Sequence, residues 1–249
     1  MLNLITCEGL KLKRSKILLL SIIGVFSTPC LMMAEALYTH FREPDRIFTL
    51  GDIYDSSLLY VMILTNLMIY VTITAYLFSR EYGEGTLKTI LPIPVRREGL
   101  LTAKFSILLI WVLLLTLVTW GGVLVLSSIY HRFFDLAGYS LLVAVEWLIR
   151  YIAGNLLIFM TLPVFVYIGI KAKGFVAPVM ASSVIVMGGA ALSNQDLGAL
   201  YPWTGAFFLA SGKLSETGYS PAATLGVILL VFLGGTLLTF RHFKREDIR

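Results

Sequence analysis

Apolar runs of about 20 residues, nearly free of charge, alternate along this chain with short polar connections. Six runs stand out, at 17–37, 58–78, 105–130, 151–170, 175–193 and 222–240. At ~1.5 Å of rise per residue, runs of this length suit a hydrocarbon core ~30 Å thick. A helix is the only open segment that satisfies its own backbone in lipid. The pattern therefore predicts an all-α membrane protein with six transmembrane helices. The connections at 39–57, 131–150 and 194–221 are each too short for a folded domain. Residues 1–249 thus read as one transmembrane unit.

Two further segments carry apolar faces without being long enough to cross. Residues 197–210 (LGALYPWTGAFFLA) are apolar and short, Pro202 breaks them, and Tyr201 and Trp203 suit headgroup depth. A re-entrant or interfacial turn before the last span is expected there, with an apolar loop packed on its neighbours as the alternative. At the other end, Leu2, Ile5 and Leu12 fall near one helical face, beside Lys11, Lys13 and Arg14. That is either an N-terminal interfacial helix on anionic lipid or a basic flank that orients the first span. Basic residues, an apolar run and then Ala34-Glu35-Ala36 have the outline of a secretory signal. The run exceeds a usual signal core, so a retained first span is expected.

Composition agrees. Apolar residues make up 57% of the chain, charged residues only 14%, and the mean hydropathy is +0.84. An ordinary globular chain is about 25% charged. These values exclude a soluble Rossmann-type enzyme, a secreted disulfide scaffold, a coiled coil and a disordered tail. The net charge of +5 and pI near 9.2 would suit nucleic acid in a soluble protein. Here the distribution of charge argues against that partner. Of the 20 Lys and Arg, 15 fall before the first span, in the 2–3 and 4–5 connections and after the last span. The other five, Arg42, Arg46, Arg132, Arg150 and Lys213, fall on the opposite side. The positive-inside rule then places both termini in the cytoplasm. Cys7 and Cys30 form no disulfide framework, since one precedes the first span and the other lies within it.

Chemistry-bearing residues inside the runs are few. Asn66, Tyr70 and Thr74 follow at four-residue steps in the second, and Ser182, Ser183, Gly188 and Gly189 mark the fifth. They either line a substrate path or serve helix packing, where a polar bond is worth ~0.6 kcal/mol on average. Glu35 lies near the outer end of the first run, within reach of His40 or an arginine of the next connection, or of the interface by snorkelling. Glu146 and Arg150 are spaced for a helical ion pair. The histidines, His40, His131 and His242, all lie outside the runs, and no HExxH occurs, which weighs against an intramembrane protease. No Gly-x-x-x-x-Gly-Lys-Ser/Thr loop is present either.

The connection between the second and third runs reads SREYGEGTLKTILPIPVRREGLLTAKF. Gly83 and Gly85 loosen it, Thr86 can cap a short helix over 87–91, and Pro92 and Pro94 end that helix. The result is a short amphipathic helix on two arms below the membrane, fit to receive force from a cytosolic partner; a solvated connector is the plainer reading. In this connection, Arg80-Glu81, Glu84-Gly85-Thr86, Leu91, Pro94, Arg96, Leu101 and Lys104 resemble the signature of type-2 ABC exporter permeases.

The absence of an external domain resembles the bacterial bacitracin- and lantibiotic-type resistance or self-immunity permeases. The resemblance implies a permease of the bacterial cell membrane, moving an amphipathic or hydrophobic substrate. It implies a coupling helix from Glu81 through Leu91 in a cleft of a dimeric cytosolic ABC ATPase. Glu84, Gly85 and Thr86 would stand at its start, Leu87 within it, and Pro94 and Arg96 on the return to the membrane. Of the two prolines, only Pro94 matches the pattern. The chain would bind no cofactor, with ATP and Mg on the ATPase, and would pair with a second permease chain, identical or sister. A membrane immunity or scaffold protein that binds a toxic peptide without ATP is the rival reading. On the resemblance, Gly85→Pro or charge reversal at Glu84 should leave insertion intact and abolish coupled transport. The check is resistance to a membrane-active peptide scored beside protein abundance.

Overall fold

The computed structural model describes residues 2–13, 15–43, 49–83 and 97–245. Among them, nine α-helices run in order: α1 Leu2–Lys13, α2 Ile17–Arg42, α3 Leu50–Leu59, α4 Asn66–Gly83, α5 Arg97–Phe134, α6 Leu141–Ala172, α7 Val176–Leu192, α8 Pro202–Ser211 and α9 Pro221–Arg245. A π-helical turn, Tyr60–Thr65, joins α3 to α4 in one continuous rod. Short 3₁₀ turns, Asp196–Leu200 and Lys213–Thr217, flank α8. The described residues contain no strand; a lone backbone bond from Leu50 N–H to Ala137 O ties two connections together.

Five helices are long and apolar enough to cross a membrane: α2, the rod Leu50–Arg80, α5, α6 and α9. The fifth run of the sequence, α7, has 17 residues. It is about 26 Å long at 1.5 Å per residue, a few ångströms short of a typical core. The long helices overrun their apolar cores. α5 and α6 take in Glu98, Lys104, Glu146 and Arg150, and α3 starts at 50 rather than 58. Thr49 and Asp52 explain that early start, because they form a capping box on the free N–H groups of α3.

Burial grades the helices from inside out. In the rod Leu50–Arg80, 61% of the apolar window is buried, against 28% in α2 and 22% in α9. The rod is therefore the central element, and the outer helices show long apolar stripes such as Leu229, Leu230, Leu233 and Leu237 of α9. Small residues set the close approaches. Gly122 of α5 faces Pro29 and Phe26 of α2, Gly154 of α6 faces Met62 and Ala210, and Gly205 of α8 faces Thr224 of α9.

The tightest crossing is α6 against α9. A Cβ on Gly235 would lie 2.8 Å from Val164 N and 3.0 Å from Pro163 C, so only glycine fits against that backbone. Pro163 sits inside α6, and its carbonyl accepts a bond from Thr239 Oγ1 at 3.1 Å. Gly235→Ala should cost about 1–3 kcal/mol through overpacking. Gly234→Ala, with open space around it, should be neutral or stabilising. Thermal unfolding of the two variants in detergent micelles separates these outcomes.

Candidate functional site

The polar side chains of the rod meet partners on α5 and α6. Tyr70 Oη donates to Asn155 Oδ1 at 2.8 Å and accepts from Asn66 Nδ2 at 3.1 Å. Thr116 Oγ1 of α5 stands 3.3 Å from the same phenol oxygen. One turn along α6, Asn155 Nδ2 donates to Tyr151 O at 2.9 Å. The Tyr151 hydroxyl bonds to Ser57 Oγ and points at Tyr54 O, 3.4 Å away. Tyr54 in turn stacks on Trp147, with ring centroids 6.0 Å apart and planes 11° from parallel. All of these but Trp147 are fully buried. Tyr54 Oη and Asn66 Oδ1 have no hydrogen-bond partner among the described residues. The result is a polar column along the rod, with spare acceptor capacity at Asn66.

Of the expected path residues, Asn66 and Tyr70 are thus brought together in this column. Thr74 is buried beside them, but its hydroxyl donates to Tyr70 O on its own helix at 2.7 Å. Ser182 and Ser183 also bond their own helix, at Val179 O. Gly188 and Gly189 make room for the segment before the last helix. Tyr201 packs on Gly188 and donates to Ile185 O at 3.1 Å, and Thr204 lies over Gly189. Sequence reasoning missed Tyr54, Ser57, Thr116, Tyr151 and Asn155. Asn155 carried a usable signal: a second amide within the apolar runs needs a buried partner as Asn66 does, and Tyr70 serves both.

The short segment at 196–217 folds as turn, helix, turn. Pro202 does not break its helix but opens it at the first position, where a missing N–H is harmless. α8 is buried along nearly its whole length. Trp203, expected at headgroup depth, is instead buried against Phe165 and Tyr201. Large rings on α8 fill the bundle, which an apolar count along the sequence cannot distinguish from lipid contact. Two charged side chains tie down the C-terminal side of this segment. Lys213 Nζ meets Asp55 Oδ2 at 2.5 Å. Arg150 pairs with Glu146 at 2.7 Å, donates to Ser211 O at 3.2 Å and lies over the Trp147 ring. Glu35 is exposed on α2, and the His40 ring packs on Phe134 instead.

At the bundle end carrying α1, Lys104 is buried and donates to Leu77 O at 2.7 Å, binding the start of α5 to the last turns of α4. Glu81 lies on the backbone of α4's final turn. The remaining coupling residues, Glu84, Gly85, Thr86, Leu87, Leu91, Pro94 and Arg96, lie outside the described residues. Among the described residues, no three His, Cys, Asp or Glu come together as a metal site would need.

Five helices long and apolar enough to cross a membrane mark a multi-pass membrane protein. Two comparisons give its family. The sequence model described as "ABC-2 family transporter protein" matches residues 4–189. The chain is also similar to the bacitracin transport permease protein BCRB of Bacillus licheniformis, 30% identical over 207 residues, covering 83% of this chain and 97% of that one. The chain therefore belongs to the ABC-2 family of transporter proteins and is a transport permease subunit. Membership implies association with an ABC ATPase subunit.

Tyr70 is the hub of the column. Tyr70→Phe should cost about 1 kcal/mol, between the ~0.6 kcal/mol average of membrane side-chain bonds and the ~1–3 kcal/mol of a stranded buried group. Thr74→Val should change stability by less than about 0.5 kcal/mol, since the carbonyl it bonds already serves the helix. Unfolding midpoints in micelles read both.

Proposed function

We propose that the chain is the permease subunit of an ATP-driven exporter that moves an amphipathic or hydrophobic antimicrobial peptide or antibiotic out of a bacterial cell. Hydrolysis takes place on a separate, dimeric ABC ATPase that carries ATP and Mg. The observation that carries this reading is the likeness to a bacitracin permease along nearly that protein's whole length. The scarcity of charge within the long helices suits an amphipathic cargo better than a small ion.

In this reading the chain is a multi-pass protein of the cytoplasmic membrane, with α7 as a short fifth span that brings the count to six and both termini inside. The Lys and Arg distribution supports that orientation. The segment from Glu81 to Leu91 is the coupling helix, with Glu84, Gly85, Thr86 and Leu87 in the ATPase cleft and Pro94 and Arg96 at its return. A second permease chain, identical or sister, completes the channel. Asn66, Tyr70 and Thr74, with Ser182 and Ser183, belong to the substrate path, which the bundle opens along the polar column. The segment at 196–217 re-enters the membrane from outside, a role its buried α8 supports.

The test is purification from membranes together with the ABC ATPase that copurifies with it, followed by hydrolysis assays in lipid vesicles. The expected result is a stable complex whose ATPase activity rises with a cationic or bacitracin-like peptide and whose loss sensitises cells to that peptide. A chain that protects cells equally well with an ATPase disabled in its phosphate-binding loop overturns the proposal.

A further inference from the structure

α1 turns Leu4, Glu8 and Leu12 toward the bundle at four-residue steps, leaving Thr6, Cys7 and Leu10 exposed. Leu12 is buried, and Leu4 Cδ1 reaches to 3.9 Å from where a Cβ on Gly99 of α5 would stand. The middle position of this apolar stripe holds a carboxylate, and Glu8 is only 4% exposed. A buried carboxylate is retained only where cations or donors meet it. One Glu8 oxygen pairs with Lys11 of its own helix; the other lies 3.9 Å from Nζ of Lys104, itself 3% exposed. Lys104 spends another proton on Leu77 O and sits over the Phe78 ring, 5.7 Å from its centroid. The three elements meeting here are α1, the start of α5 and the last turns of α4. The last two are the arms from which the 84–96 connection hangs.

We propose that Glu8 is a positioning residue for energy coupling. Through Lys104 it clamps α1 onto the two arms of the coupling segment, so that α1 and both arms move as one body under load from the ATPase. The proposal rests on the ATP-driven reading above. An amphipathic helix held by lipid alone would need an uncharged inner face. The buried Glu8–Lys104 pair instead gives α1 a fixed register against α5. A lysine with its ammonium on a helix-end carbonyl, a ring face and a carboxylate transmits displacement of any one to the others.

The experiment uses the full chain with its ATPase in lipid vesicles, in a Cys30→Ser background with a polarity-sensitive fluorophore on exposed Cys7. Variants are Glu8→Gln, Glu8→Asp, Lys104→Gln, which keeps a donor for Leu77 O, and the double Glu8→Gln with Lys104→Gln. Glu8→Gln should keep the ATPase bound and basal hydrolysis unchanged. It should lower peptide-stimulated hydrolysis roughly 2- to 30-fold, the range coupling mutations span, and shift the Cys7 emission. Glu8→Asp should retain stimulation and emission, and the double variant should lose no more stimulation than the worse single one, because the two residues act as one pair. Wild-type stimulation in Glu8→Gln overturns the proposal, as do losses that add up in the double variant. If Glu8→Gln fails to accumulate, Lys104→Gln decides alone: lowered stimulation with shifted emission supports the clamp, and parent-like stimulation overturns it. A parent complex with no peptide-stimulated hydrolysis sinks the ATP-driven reading and the coupling role with it. The emission shift then still reports whether Glu8 docks α1.

Discussion

Hydrocarbon offers no hydrogen-bond partner, and that scarcity organises this molecule. Backbone groups answer it by forming helices. Polar side chains answer it by gathering, since each one stranded in lipid would cost free energy that no solvent offsets. The rod Leu50–Arg80 carries Tyr54, Ser57, Asn66, Tyr70 and Thr74, more such groups than it can satisfy alone. It therefore lies at the centre, where Thr116, Tyr151 and Asn155 reach it from two neighbours. The least buried of the long helices, α2 and α9, lie outside and show leucine stripes.

Much of this was legible in the sequence, because a long uncharged apolar run has few other uses. The all-helical class and the five long helices follow from run length alone. Their ends were less visible. Charged residues such as Glu98, Lys104, Glu146 and Arg150 continue a helix past its apolar core without any change in backbone, so hydropathy loses the boundary. The small segment at 196–217 was legible as apolar and short, yet Trp203 is turned inward, a choice made by Phe165 on a distant helix. Asn66 and Tyr70 were visible as a stepped pair, but Asn155, to which Tyr70 donates, stands 85 residues from it. Glu8 was hidden between Ile5 and Leu12, since the partners that make a carboxylate tolerable on that face are Lys11 and, from a distant stretch of chain, Lys104. The motif from Glu84 to Arg96 was read from residue order and spacing, and it lies outside the described residues.

The two ends of the bundle are fastened differently. At one end, Lys213–Asp55 and Arg150 with Ser211 O hold the 196–217 segment by partly exposed charges, bonds that solvent weakens and that small motions can exchange. At the other, Glu8 and Lys104 are enclosed, and an enclosed pair resists separation because each ion alone would be stranded.

The π turn at Tyr60–Thr65 has a geometric consequence for the whole column. Asn66 N–H bonds to Val61 O and Thr65 Oγ1 to Tyr60 O, so this turn holds one residue more than an α-helical turn. Counted on a plain helical wheel at ~100° per residue, Tyr54, Ser57, Asn66 and Tyr70 would spread over roughly 220°. Removing one step between the pairs draws them into roughly 120°, a single flank that one neighbour can serve. The extra residue thus acts as a phase shifter: α6 can grip the rod above and below it with Tyr151 and Asn155, two residues of one stripe.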